Sequence, residues 1–193
     1  TLPESDRFGF LFDNVKGHSI PVATGALGAS VAAYAVGLGV EPDGINAKWD
    51  DALRNPVAPK PVENAPCHEN VFEGDAVDLG MLPIPVWTPG KDVAPYITSI
   101  VVTKDVETGV HNYGVYRTQL LGREGRRCVD GWHARGEPAP IAFVIGAEPA
   151  VYYASVTSLP YAVDEATLAG GLKQEALDLV RGRTVDLSVP ARS

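Results

Sequence analysis

Asn112 and Arg117 stand five positions apart in the run His111-Asn112-Tyr113-Gly114-Val115-Tyr116-Arg117. The Asn112 amide oxygen is a neutral ligand of the kind that hard divalent cations accept. The Arg117 guanidinium is a planar fork that matches a carboxylate or a phosphate. Gly114, between them, lets a ligand approach the backbone closely. Together the three suit an anionic, metal-assisted site on a β-scaffold. Plainer readings stand beside this one: Asn112 satisfying turn backbone near Gly109, and Arg117 as an exposed strand arginine paired with one of the 24 acidic residues. An odd offset on a straight strand sends two side chains to opposite faces. One shared site therefore requires a bulge or bend, and Gly114 is its natural place.

Glu165 follows Asp164 where a helix is expected to begin. A carboxylate there is commonly dipole compensation, worth roughly 0.3–1 kcal/mol; the alternative is a metal ligand projecting from a rigid helix start. Residues 122–133 are polar, basic and glycine-rich, and contain Arg123, Glu124, Arg126, Arg127 and His133. They read either as a loop over an anionic group, with Glu124 or His133 completing a metal shell, or as a solvated hairpin tip. Cys128 has no His and acid at nucleophile-like spacing. His18 and His68 fall in turns. Phosphate-loop, zinc-protease, nucleophile-elbow and dinucleotide fingerprints are absent from the sequence.

These residues need elements to hold them. The alternation over 96–103 and 111–120, around the turn 105–109, predicts two strands. Further strands are expected at 8–15, resuming at 20–22, and at 69–72, 141–145, 177–180 and 184–187. Helices are expected from Thr24 or Gly25 to about Leu38, over 45–53 with Asp43 as N-cap, and over 149–155 and 164–172. The proline-rich run 55–62 reads as a linker and sets a boundary between a small N-terminal α/β unit (1–60) and a β-rich unit (61–193). The class is α+β, with the second part a small antiparallel barrel carrying helical excursions.

The bulk properties bound the partners. The chain has 193 residues, 45% apolar and 21% charged, enough for a core and ordinary for a soluble globular protein. A formal charge of −8 argues against a nucleic-acid partner. Two cysteines without a CxxC make neither a disulfide framework nor a zinc signature, so a reducing cytoplasm is expected. The longest apolar run is too short to span a membrane. The first residue is Thr1, with no secretory signal, so a fragment or a processed chain is expected.

Several passages, in order, resemble the UbiD family of reversible decarboxylases that use prenylated FMN: residues 10–22, 78–85, 112–117, 140–149, 164–170 and 189–191. The Asn-x-Gly-x-Tyr-Arg element with the Glu-led helix is the specific part. The resemblance implies that 61–193 is an FMN-binding split β-barrel-like domain with inserted helices. It implies that Asn112 and Glu165 hold a divalent metal, usually manganese, at the cofactor phosphate. Asn112, Tyr113, Gly114, Val115, Tyr116, Arg117 and Pro160 would contact the prenylated flavin. Arg117 would hold the substrate carboxylate, and a potassium ion is expected near residues 156–159. The substrate would be an aromatic, heteroaromatic or α,β-unsaturated carboxylic acid, with the prenylated flavin taking up the electrons that departing CO2 leaves behind. A flavin prenyltransferase would supply the cofactor.

Two departures from the family pattern stand out. The interval between Arg117 and Pro140 is shorter, and it normally brings a third metal ligand; Glu124 aligns with that ligand and His133 is its rival. Family members also run to more than twice this length, with the acid/base carboxylates and the domain that mediates homodimer or higher homo-oligomer contacts beyond the Val189-Pro190-Ala191 segment. The chain alone is expected to be inactive. Two other readings stay open: a non-catalytic flavin-binding or assembly module, and a split-barrel flavin reductase using ordinary FMN.

Overall fold

The computed structural model describes residues 3, 7–120 and 139–192. Strand β1 (Phe10–Phe12) pairs antiparallel with β2 (Val22–Thr24), and Phe8, Phe10 and Phe12 share one exposed face with ring centroids 4.9 and 6.2 Å apart. The helix expected from residue 24 or 25 starts later, as α1 (Val31–Leu38). Gly25 is left-handed (φ 70°), and the extended Ser30 accepts the Ala33 N–H at 3.2 Å through its hydroxyl, so the N-cap falls at Ser30. Helix α2 (Ile45–Arg54) follows a 3-10 turn at Pro42–Gly44. Asp43 lies inside that turn, and Gly44 holds the cap position with no side-chain bond, which corrects the expected cap.

The proline-rich run is not a free linker. Val57 N–H donates to the Thr167 carbonyl at 3.0 Å, and Lys60 N–H to that of Leu177 at 2.9 Å. Residues Lys60–Val62 form β3, parallel to β7 (Asp178–Arg181). Pro61 is tolerated because β3, among the described residues, is an edge strand that needs no donor on its outer side. One buried cluster runs across the expected boundary, joining Leu38 and Ala52 to Ile100, Tyr113 and Leu172.

A long hairpin carries the site. Strand β4 (Tyr96–Lys104) pairs with β5 (His111–Gln119) in an unbroken antiparallel register from Tyr96↔Gln119 to Lys104↔His111. Its turn is built by Asp105 Oδ1, which accepts from Glu107 N–H (3.0 Å), Thr108 N–H (2.7 Å) and the Thr108 hydroxyl (2.9 Å), with Gly109 at φ 73°. Strand β6 (Ala142–Val144) pairs with the other side of β4, so among the described residues β5 is a sheet edge. Helices α3 (Pro149–Ser155) and α4 (Glu165–Lys173) pack on each other, and both reach β5.

Two expected strands take other forms. Residues 69–72 follow a 3-10 turn at Pro66–His68 and pair with nothing among the described residues. Residues 184–187 belong to a bend closed by Gly182 N–H on the Leu187 carbonyl at 2.7 Å, and β8 (Ser188–Pro190) begins only after it. The mixed α and β content is as expected. The described strands form one two-stranded and two three-stranded sheets, and they close no barrel.

Candidate active site on the β5 edge

The register of β5 is continuous through Gly114, which faces Val101 with no extra residue on either strand, so the expected bulge does not form. Asn112, Gly114 and Tyr116 therefore share one face, and Tyr113, Val115 and Arg117 the other. Gly114 has a local reason to be glycine. A Cβ there would meet the Tyr116 ring at 2.5 Å, because that ring folds back over it. Asn112 and Arg117 point to opposite faces and, at about 3.4 Å of rise per residue, lie roughly 17 Å apart along the strand.

What unites them is the strand edge. Tyr113 N–H points away from β4 and donates to Glu165 Oε2 at 3.0 Å. The same alternation turns the N–H and C=O groups of Val115 and Arg117 outward. A ligand lying along this edge can reach both faces, so no bulge is needed. Glu165 sits at the Asn112–Tyr113 peptide because Asp164 caps α4, accepting the Ala166 N–H at 2.8 Å, and because α4 packs against β5. The loop before it is strained: Ala162 is a non-glycine residue at φ 61°. Pro160, exposed in that loop, accepts the Val163 N–H at 3.2 Å through its carbonyl.

The electrostatics of this end are unusual. Burial raises the pKa of both Asp164 and Glu165, and each charge sits among few donors. The Tyr113 ring is 2% exposed; burial, then the nearby Asp164 and Glu165 charges, push its phenol well above the ordinary range. Its hydroxyl donates to the Ser188 carbonyl at 3.1 Å. His111 Nε2 accepts the Ser188 N–H at 3.1 Å, which commits this nitrogen, and desolvation lowers the ring's pKa.

Two half-buried carboxylates with no cationic partner among the described residues fit a hard divalent cation by donor type. The described residues nevertheless contain no group of three His, Cys, Asp or Glu able to hold a metal. Of the expected metal ligands, only Asn112 and Glu165 fall among the described residues. Glu124 and His133, the expected third ligands, lie outside the described residues.

The Arg117 end has a different character. The guanidinium lies 4.0 Å over the Tyr96 ring and donates from Nη2 to Asp92 Oδ1 at 2.7 Å. Gln119, on the same face and directly opposite Tyr96, has a buried Nε2 with no partner among the described residues. The Trp87 indole N–H donates to the Tyr96 carbonyl at 2.9 Å. Trp87 also lines a cleft of about 590 Å³ between the β1–β2 hairpin and residues 83–87. Asp164, expected as a helix-terminus carboxylate, is the residue that caps α4. Asp92 and Tyr96 carry no local signal and matter through partners distant in sequence.

At the expected potassium site, the turn after α3 is tied by Thr157. Its hydroxyl donates to the Tyr153 carbonyl at 2.7 Å and its N–H to that of Ala154 at 3.0 Å.

Residues 60–193 match the family model of the UbiD 3-octaprenyl-4-hydroxybenzoate carboxy-lyase Rift-related domain. The chain belongs to the UbiD family. Solved UbiD-class structures agree along almost its whole length. HmfF from Pelotomaculum thermopropionicum, in complex with FMN, is 35% identical at a TM-score of 0.84, covering 95% of this chain and 44% of that one. An evolved dimeric form of the same enzyme, in complex with prFMN, is 34% identical (TM-score 0.80; 95% and 45% covered). Vanillic acid decarboxylase from Sedimentibacter hydroxybenzoicus, in closed form, is 29% identical (TM-score 0.84; 96% and 44% covered). The chain thus spans less than half the length of these UbiD relatives.

Proposed function

We propose that the full-length protein is a carboxy-lyase that reversibly decarboxylates an aromatic, heteroaromatic or α,β-unsaturated carboxylic acid on prenylated FMN. This chain would supply the cofactor and metal half of the site. The observation that carries the reading is the Glu165 carboxylate, half-buried and bonded to Tyr113 N–H beside Asn112 on a strand edge unpaired among the described residues. Glu165 and Asn112 would hold a manganese ion at the flavin phosphate, letting two anions share one place. The bound flavin would supply an electron sink for the carbanion equivalent left by CO2.

The chain's own residues then do the positioning. The outward N–H and C=O groups of Val115 and Arg117 would be available to the flavin along the edge, and Tyr116, folded over Gly114, would line the other face of the strand. Arg117 would hold the substrate carboxylate from its Tyr96 platform. Pro160 would bound the cofactor near α4, and the turn after α3 would hold a potassium ion. The split-barrel reading of 61–193 would join the two three-stranded sheets where β6 lies against β8. A cytoplasmic homodimer or higher homo-oligomer, loaded by a flavin prenyltransferase, completes the proposal.

The test is the full-length protein co-expressed with a flavin prenyltransferase. It should purify with flavin absorbance and manganese, and release CO2 from a member of a panel of aromatic and unsaturated acids. Arg117→Ala should keep the flavin and lose turnover. A colourless protein that stays inert after reconstitution overturns the reading, and retained turnover in Arg117→Ala removes that residue from it.

A further inference from the structure

Arg117 is not free to choose its pose. Asp92 takes its Nη2 at 2.7 Å, and the Asp92 side chain is only 11% exposed although that of Arg117 is 51% exposed. The second Asp92 oxygen accepts the Thr88 N–H at 2.7 Å, while the N–H groups of Lys91 and Asp92 both donate to the Thr88 carbonyl (3.0 and 2.9 Å). The carboxylate is thus locked in its own turn. Tyr96, the platform under the guanidinium, is tied to the same passage by its N–H on the Pro85 carbonyl (3.1 Å) and by Trp87 on its own carbonyl (2.9 Å).

An exposed ion pair between two mobile side chains fixes little. Here one partner is rigid and nearly buried, and the guanidinium is held both edge-on and face-on. A planar fork pinned at one N–H over a ring keeps its remaining N–H groups in a defined direction. We propose that Asp92 is a positioning residue. It holds Arg117 flat on Tyr96 with one N–H occupied, so that the rest are presented to the carboxylate of the acid to be decarboxylated. The inference rests on the reading of Arg117 given above. Because Asp92 also adds a negative charge beside the incoming carboxylate, it serves orientation rather than affinity.

That division predicts which constant moves. In the full-length holoenzyme Asp92→Asn should lower kcat by about 10- to 100-fold, the size of effect that misplacing a reacting group produces. KM for the same acid should stay unchanged or fall. Flavin content and melting temperature should match the parent. Phenylglyoxal labelling of Arg117, mapped by mass spectrometry in the absence of substrate, should run several-fold faster once the carboxylate no longer shields the guanidinium. Tyr96→Leu, which removes the platform and leaves Asp92, should show the same loss in kcat. Parent-like kcat and labelling in Asp92→Asn overturn the inference even where Arg117→Ala is inactive. A rise in KM at constant kcat overturns it as well, because Asp92 would then govern binding. Full turnover in Arg117→Ala instead sinks the reading beneath it.

Discussion

Exchanging Glu165 for Gln or for Ala separates the hydrogen bond its carboxylate accepts from the metal-binding role proposed for it. Oε2 accepts the Tyr113 N–H at 3.0 Å, and burial disfavours the charge. Gln keeps a neutral acceptor in place. A charged hydrogen bond contributes about 1.5–3 kcal/mol and a neutral one about 1, but the relief of desolvation offsets much of that difference. The apo protein should therefore change by at most about 1 kcal/mol, a shift of roughly 2–4 °C in Tm for a domain of this size. Ala leaves the Tyr113 N–H without its acceptor, at a cost of about 1–3 kcal/mol. Metal retention should behave differently. Disturbing a group behind a ligand already costs about 10- to 100-fold in affinity, so losing the anionic ligand itself should cost at least that. Thermal melts of the apo proteins, with manganese by mass spectrometry and flavin by absorbance on the loaded ones, read the two effects apart. Parent levels of metal and flavin in Glu165→Gln would return Glu165 to helix-terminus compensation. Equal melting of the Glu165→Gln and Glu165→Ala variants would refute the assigned bond to Tyr113.

The packing yields further expectations. Gly170→Ala places a Cβ well inside contact with the Val57 carbonyl oxygen and 3.2 Å from that of Glu175; backbone cannot yield as a side chain would. The overpacking cost of about 1–3 kcal/mol should outweigh the gain of about 1 kcal/mol in helix propensity, lowering the denaturant midpoint. Gln174, at φ 61°, receives the chain after α4, with its N–H on the Gly171 carbonyl at 3.1 Å. Gln174→Gly should stabilise by about 1 kcal/mol, seen as a higher Tm. Lys173 is opposed by desolvation, but the Glu148 carboxylate at 2.7 Å and that of Glu175 at 3.3 Å outweigh it and raise its pKa. A raised amine adds stability below its unfolded value of about 10.4 and loses it as pH climbs through the folded value. Lys173→Met should flatten that alkaline decline in Tm.

The elements nearest the site were legible because their signals are local. The β4–β5 hairpin announces itself by alternation around an Asp–Gly turn, and α4 by Asp164, whose cap needs only the next two residues. Helix α3 begins at a proline. Misreadings arose where the partner is remote. Residues 55–62 look like a linker until β7 and the Thr167 carbonyl take their backbone groups, and residues 69–72 have strand composition but no strand to pair with among the described residues. The expected bulge at Gly114 does not form, because every residue of β5 finds its partner on β4 in one unbroken register.

The sequence by itself determined residue chemistry, the α+β class and the family: an amide, a guanidinium and a helix-leading carboxylate in a recognisable order. Tertiary structure alone decided that Glu165 meets the Asn112–Tyr113 peptide across 52 residues, and that Asp92 meets Arg117 across 25. Both contacts come from packing α4 and the residue 85–96 passage against one strand. Such pairings depend on which buried faces fit together, and periods of two or 3.6 residues carry no information about that.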